Sequence, residues 1–157
     1  MSDDINMYLP DEAALHSVAA ALWKSLSGGL CFYFQGPVGA GKTAFIRQVL
    51  RSAGIQGAIR SPTYTLVELY TVSNLYLYHF DLYRFFDPFE WVSSGFDEFF
   101  NKTSVAFVEW PEKAGNVLPP ADVVVSMDYA GDGRSFNATA LSEKGLQCLT
   151  SWKNELP

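Results

Sequence analysis

The sequence predicts an α/β fold with a mixed, mostly parallel central sheet, added β-hairpins and helices on both faces. Three observations carry this. Strand-like and helical runs alternate through the first part of the chain, two later pairs of strand-like runs are joined by short polar turns, and VAFVE (105–109) is apolar until its last residue. Early alternation followed by hairpins is the pattern of an α/β sheet with antiparallel additions, and an unbroken apolar run suits a strand covered on both sides.

Each element has a local reason. Pro10 and Asp11 suit a helix start, and Leu15, Val18, Ala19, Leu22 and Leu26 then fall at helical spacing until Gly28-Gly29. LCFYFQ (30–35) is a short aromatic-rich run, read as a buried strand. A glycine-rich turn leads into a second helix from about Lys42 to Ser52, closing near Gly54. VELYTV and NLYLYHFDLY are strand-like and meet around Ser73-Asn74, a hairpin signal. Residues 85–103 are mixed, with Pro88 opening a short helix and Gly95 breaking it. ADVVVSMDYA and RSFNATAL flank Gly131-Asp132-Gly133, a second hairpin, and SEKGLQCLTSW reads as a final helix.

Bulk properties narrow the classes. A chain of 157 residues fits one domain and can bury roughly two-thirds of its unfolded surface. Hydrophobic residues at 48% and charged residues at 18% describe an ordinary globular chain rather than a disordered one. Seventeen acidic against eleven basic residues give a net charge of −6, ill suited to gripping a nucleic-acid backbone unaided. Any link to nucleic acid is therefore expected to run through a partner. Cys31 and Cys148 have no metal-ligand spacing, and Cys31 lies in an apolar run as a buried, inert thiol. The opening MSDDINMYLPDEA has no basic segment leading into an apolar one, and no stretch reaches the ~18 apolar residues of a membrane span. The expectation is a soluble cytoplasmic protein.

The chemistry concentrates in GPVGAGKT, residues 36–43, which fits G-x-x-x-x-G-K-[ST] at every defined position and lies between a strand and an amphipathic helix. Gly36, Gly39 and Gly41 let the backbone turn successive N–H groups toward anionic oxygens, and Pro37, Val38 and Ala40 complete the loop. The helix N-terminus adds partial positive charge. Lys42 would reach the β- and γ-phosphates, and the Thr43 hydroxyl would ligate Mg²⁺. This makes the expected fold a single P-loop NTPase domain spanning 1–157, binding ATP and its product ADP with Mg²⁺. A carboxylate at the tip of a buried strand needs a cation, and Glu109 at the end of VAFVE is placed to meet that magnesium. The alternative is that Glu109 marks the strand's exit to solvent.

Other residues remain open on pattern alone. Asp81 in HFDLYR needs a partner, which could be Mg²⁺, a catalytic water or Arg84. SPTYTL offers Thr63 and Thr65, either as a segment that orders over a γ-phosphate or as a polar lead into a strand. His79 reads as a packed or hydrogen-bonded imidazole rather than a base. Trp110 suits a lid, a partner contact or plain core.

In order and separation, GPVGAGKT, SPTYTLVELY, YHFDLYR and FVEWPEKA resemble the TsaE family, over about residues 8–130 and with no departure at a motif position. TsaE is the small bacterial ATPase required for making threonylcarbamoyladenosine in transfer RNA. The resemblance implies a phosphate-loop α/β fold and an ATPase weak in isolation that works with TsaB and TsaD, so that transfer RNA is reached only through partners. It places functional positions at Lys42, Thr43, Thr63, Asp81, Glu109 and Trp110, with Mg²⁺ at Thr43 and Glu109. The catalytic assignment is Lys42, Asp81 and Glu109, with Glu109 on the metal and Asp81 on the water or the switch. Two rivals stand beside it. A small-molecule kinase would bring an arginine-rich lid, and no such segment follows the central strands. A nucleotide-sensing interaction module would bind ATP and dock without turnover.

Overall fold

The apolar runs pair into one seven-stranded sheet in the computed structural model, which describes residues 3–85 and 87–157. The expectations for the N-terminal stretch and for the mixed segment 85–103 include Met1, Ser2 and Phe86, which lie outside the described residues. The strands are β1 (Ile5–Leu9), β2 (Leu30–Gln35), β3 (Val67–Val72), β4 (Leu75–Asp81), β5 (Ser104–Glu109), β6 (Val123–Ala130) and β7 (Gly133–Ala140). Their order is β1-β7-β6-β2-β5-β4-β3. The inner strands β6, β2, β5 and β4 run parallel, while β1–β7, β6–β7 and β3–β4 are antiparallel. Both expected hairpins are present. β1 is an addition to the sequence reading: it pairs with β7 through Ile5↔Ala138 to Leu9↔Arg134.

The two faces are covered differently. Helices α1 (Glu12–Trp23), α2 (Lys42–Ser52) and α4 (Glu143–Glu155) share one core with the inward residues of β2, β5, β6 and β7. Asp11 caps α1 by accepting the Ala14 N–H at 2.9 Å, and Ser142 caps α4 by accepting the Gly145 N–H at 3.0 Å. Leu15, Val18, Ala19 and Leu22 form the buried stripe of α1, which ends at Trp23, ahead of Leu26. Phe45 of α2 packs against Phe34 at 5.9 Å and Phe136 at 5.2 Å between ring centroids. Burial of each such ring contributes about 2–3 kcal/mol.

The opposite face carries α3 (Phe89–Ser94) and two short 3₁₀ segments, Phe96–Phe99 and Pro111–Val117. Gly95, left-handed at φ 71°, ends α3. Phe80 contacts Trp91, Phe96 and Phe100 at 5.2–5.6 Å, so a cluster of rings does here what long helices do on the first face. No helix among the described residues is long and apolar enough to cross a membrane.

The registers align three strand ends. Phe34 sits beside Glu109, and Glu109 beside Asp81, so β2, β5 and β4 finish together. Their carboxyl ends form one rim, the usual place for a ligand in a sheet of parallel strands.

Candidate functional site

The loop after β2 bends at positions that need glycine. A Cβ at Gly36 would stand 2.0 Å from the Met127 carbonyl oxygen of β6, so any side chain there would clash with backbone. Gly41, at φ 108°, is the N-cap of α2 and caps it without a side chain, and the first turn contains no acidic residue. The positive end of an eleven-residue helix therefore opens directly onto the loop.

Lys42 is buried at 4% exposure, donates to the Gly36 carbonyl and places its ammonium 3.6 Å from the centre of the Trp110 ring. Burial lowers its pKa, while Glu109, Glu112 and Asp81 pull it back up. Trp110 holds a left-handed backbone (φ 58°, ψ 49°), which costs a non-glycine residue on the order of 1–3 kcal/mol. Its ring also meets Tyr83 at 5.0 Å.

Glu109 is buried at 2% exposure and held from two sides. The Thr43 hydroxyl lies 2.8 and 2.9 Å from its two oxygens, and His79 Nε2 lies 2.6 Å from Oε2. Asp81 is held more loosely. It accepts the Tyr83 N–H at 3.0 Å and the Thr63 hydroxyl at 3.4 Å, and burial raises its pKa, with Glu109 adding to the rise and Tyr83, His79 and Thr63 opposing it. Arg84, one partner the sequence offered Asp81, lies instead 4.6 Å over the Tyr64 ring.

These groups line one cleft of about 510 Å³ that includes Val38, Lys42, Thr43, Arg47, Thr63, Asp81, Tyr83, Glu109 and Trp110. Thr65 bonds Glu68. A second cleft of about 290 Å³ shares Gly39, Gly41 and Ala44 with the first and runs to Leu9–Glu12, Leu15 and Asp132–Arg134. The β6–β7 hairpin braces the loop between them. Tyr129 donates to the Val38 carbonyl at 2.6 Å, and Arg134 donates to the Gly39 carbonyl at 3.3 Å while stacking on Tyr129. Sequence reasoning did not find Tyr129 and Arg134 or the bond of His79 to Glu109. No local motif links residues 91 and 95 positions apart, and a lone imidazole has no spacing signal.

Chemically, the loop, the helix end and Lys42 form an anion cradle, with two carboxylates beside it that need a cation. Thr43 and Glu109 offer only oxygen, the donor type of magnesium. Among the described residues no group of three or more His, Cys, Asp or Glu side chains is arranged to hold a metal. A hard cation here would therefore complete its shell with ligand oxygens and water, as magnesium does on a phosphate chain.

The chain is similar to known proteins over most of its length. The family model for "Threonylcarbamoyl adenosine biosynthesis protein TsaE" matches residues 9–136. The TsaE protein of Haemophilus influenzae, named for tRNA threonylcarbamoyladenosine biosynthesis, is 37% identical, over 97% of this chain and 99% of its own length. The Bacillus subtilis protein of the same name is 34% identical, over 86% of this chain and 84% of its own. The crystal structure of Bacillus subtilis YdiB superposes with a TM-score of 0.83 at 24% identity, covering 98% of this chain and 97% of that one, a likeness of fold.

Proposed function

The chain belongs to the TsaE family of threonylcarbamoyl adenosine biosynthesis proteins, and from that premise we propose that it is a magnesium-dependent ATPase of the tRNA modification machinery. It turns over slowly alone, is activated by TsaB and TsaD, acts in the cytoplasm, and meets transfer RNA only through those partners. The observation that carries this reading is the convergence of Lys42, Thr43, Asp81 and Glu109 in one cleft at the aligned ends of β2, β4 and β5.

In this reading the loop amides and the α2 terminus bind the phosphates, and the second cleft receives the nucleoside. Lys42 exchanges the Gly36 carbonyl for phosphate oxygens. Thr43 and Glu109 would hold a magnesium ion, which would supply neutralising charge to the phosphates. Asp81 orients the attacking water and takes its proton, a task that its burial-raised pKa favours. Trp110 and Tyr83 exclude bulk water above Lys42, and Thr63 couples the 61–66 segment to Asp81. Among the described residues, Arg47 is the one arginine lining the phosphate cleft. Stabilising charge at the transition state is therefore expected from a partner, which can supply orders of magnitude in rate.

The test is steady-state ATP hydrolysis with and without TsaB and TsaD. Slow turnover that rises at least tenfold with the partners is expected. Fast turnover alone, unchanged by them, would overturn the activation.

A further inference from the structure

His79 is a buried ionisable group that the proposed chemistry leaves unused. It lies on β4 at 2% exposure, beside Phe107 in the register with β5. Its Nε2 meets Glu109 Oε2 at 2.6 Å, while Nδ1 is buried with no hydrogen-bond partner. An apolar side chain would fill this place without stranding a nitrogen. A buried polar atom left unpaired is destabilising, so packing does not explain the imidazole; its bond to Glu109 does. With Glu109 as the acceptor of this bond, Nε2 carries the hydrogen.

That bond has a geometric consequence. Glu109 ends its strand, and without His79 its carboxylate would keep the Thr43 hydroxyl as its one side-chain partner among the described residues. Thr43 approaches both oxygens almost equally, at 2.8 and 2.9 Å, so it does not choose between them. His79 touches Oε2 alone. Resting on the reading of Glu109 as a magnesium ligand, we propose that His79 is a positioning residue. Its Nε2–H pins one oxygen of Glu109, and so keeps the other oxygen and the Thr43 hydroxyl converged on the place of the divalent ion. Groups that hydrogen-bond a metal's ligands typically tune metal affinity by about 10–100-fold.

The experiment measures Mn²⁺ uptake by electron paramagnetic resonance in the full-length protein with saturating ADP, and ADP affinity in EDTA by calorimetry. His79→Leu removes the donor, and His79→Gln returns an N–H near the Nε2 position. His79→Leu is expected to weaken Mn²⁺ by about 10–100-fold with metal-free ADP affinity within about twofold, and His79→Gln to recover most of the loss. Mn²⁺ binding unchanged in His79→Leu, or equal loss in both variants, would overturn the inference while leaving the ATPase reading intact. Failure of the wild-type protein to take up either ADP or Mn²⁺ would overturn both. Should His79→Leu not fold, the wild-type imidazole decides by ¹⁵N NMR. A hydrogen on Nε2 and a bare Nδ1 support the assignment, and the reverse tautomer sinks it.

Discussion

The two ends of the central strands both bury polar side chains, and they spend them differently. At the amino-terminal end, Asp122 accepts the Cys31 N–H at 2.8 Å and the Ser142 hydroxyl at 2.7 Å, and Ser142 in turn caps α4. Ser104 donates to the Phe99 carbonyl at 2.7 Å and accepts the Asn101 N–H at 2.9 Å. The Asp122 bonds tie β2, the approach to β6 and the cap of α4 together, and the Ser104 bonds fix the turn that enters β5. At the carboxyl-terminal end, a buried ammonium, two buried carboxylates and a strained tryptophan crowd one rim, and His79 keeps a nitrogen unpaired. One end has its hydrogen-bonding capacity consumed by folding. The other gathers charged groups along a cleft, at some cost to the fold in buried charge and backbone strain.

The contrast is sharpest for Lys42→Met, which keeps the aliphatic stem and deletes the charge. ATP hydrolysis, measured in the presence of the partners, should fall by at least about 100-fold, the effect typical of losing one donor aimed at transition-state charge. The melting temperature should stay level or rise. Burial depresses the pKa of Lys42, so at neutral pH its charged form is the one that folding penalises. A large loss of stability would break the comparison.

The opposite end should answer in the opposite currency. Asp122→Ala strands the Cys31 N–H and the Ser142 hydroxyl, costing about 2 kcal/mol and lowering the melting temperature by about 4–8 °C. Calorimetric ATP affinity measured well below the melting point should be unchanged.

The smallest effect on stability is expected for Asp81→Asn, which can still accept the Tyr83 N–H. A carboxyl with its pKa raised in the folded state binds protons more tightly there than in the unfolded chain. The wild type therefore loses stability as pH climbs from the ordinary value of 3.8 through the raised one. Thermal scans should show the variant a few degrees more stable than wild type at neutral pH. The gap should close below the ordinary carboxyl range, where both states of the wild type are protonated. A variant less stable at neutral pH would show that Asp81 serves the fold.

The same division governs what could be read from the chain. GPVGAGKT was legible because its signal lies within eight consecutive residues, and the helices because their stripes repeat over a few turns. β1 escaped because INMYL is a five-residue edge strand whose partner, β7, lies some 130 positions on. Of the partners left open for Asp81, Arg84 is replaced for a local reason. An aspartate readily accepts from the backbone N–H two residues ahead, so Tyr83 takes the place offered to Arg84. Tyr129, Arg134 and the His79–Glu109 bond depend on strand order, which no spacing within the sequence encodes.

The pairing of β1 with β7 reaches into practical handling of the protein. Leu9 ends that strand, and Pro10, Asp11 and Glu12 immediately become a wall of the second cleft. A shortened form beginning at the first helix would forfeit a sheet border and part of a wall of that cleft together. Affinity tags are better carried at the other terminus, beyond Glu155, where α4 has already ended.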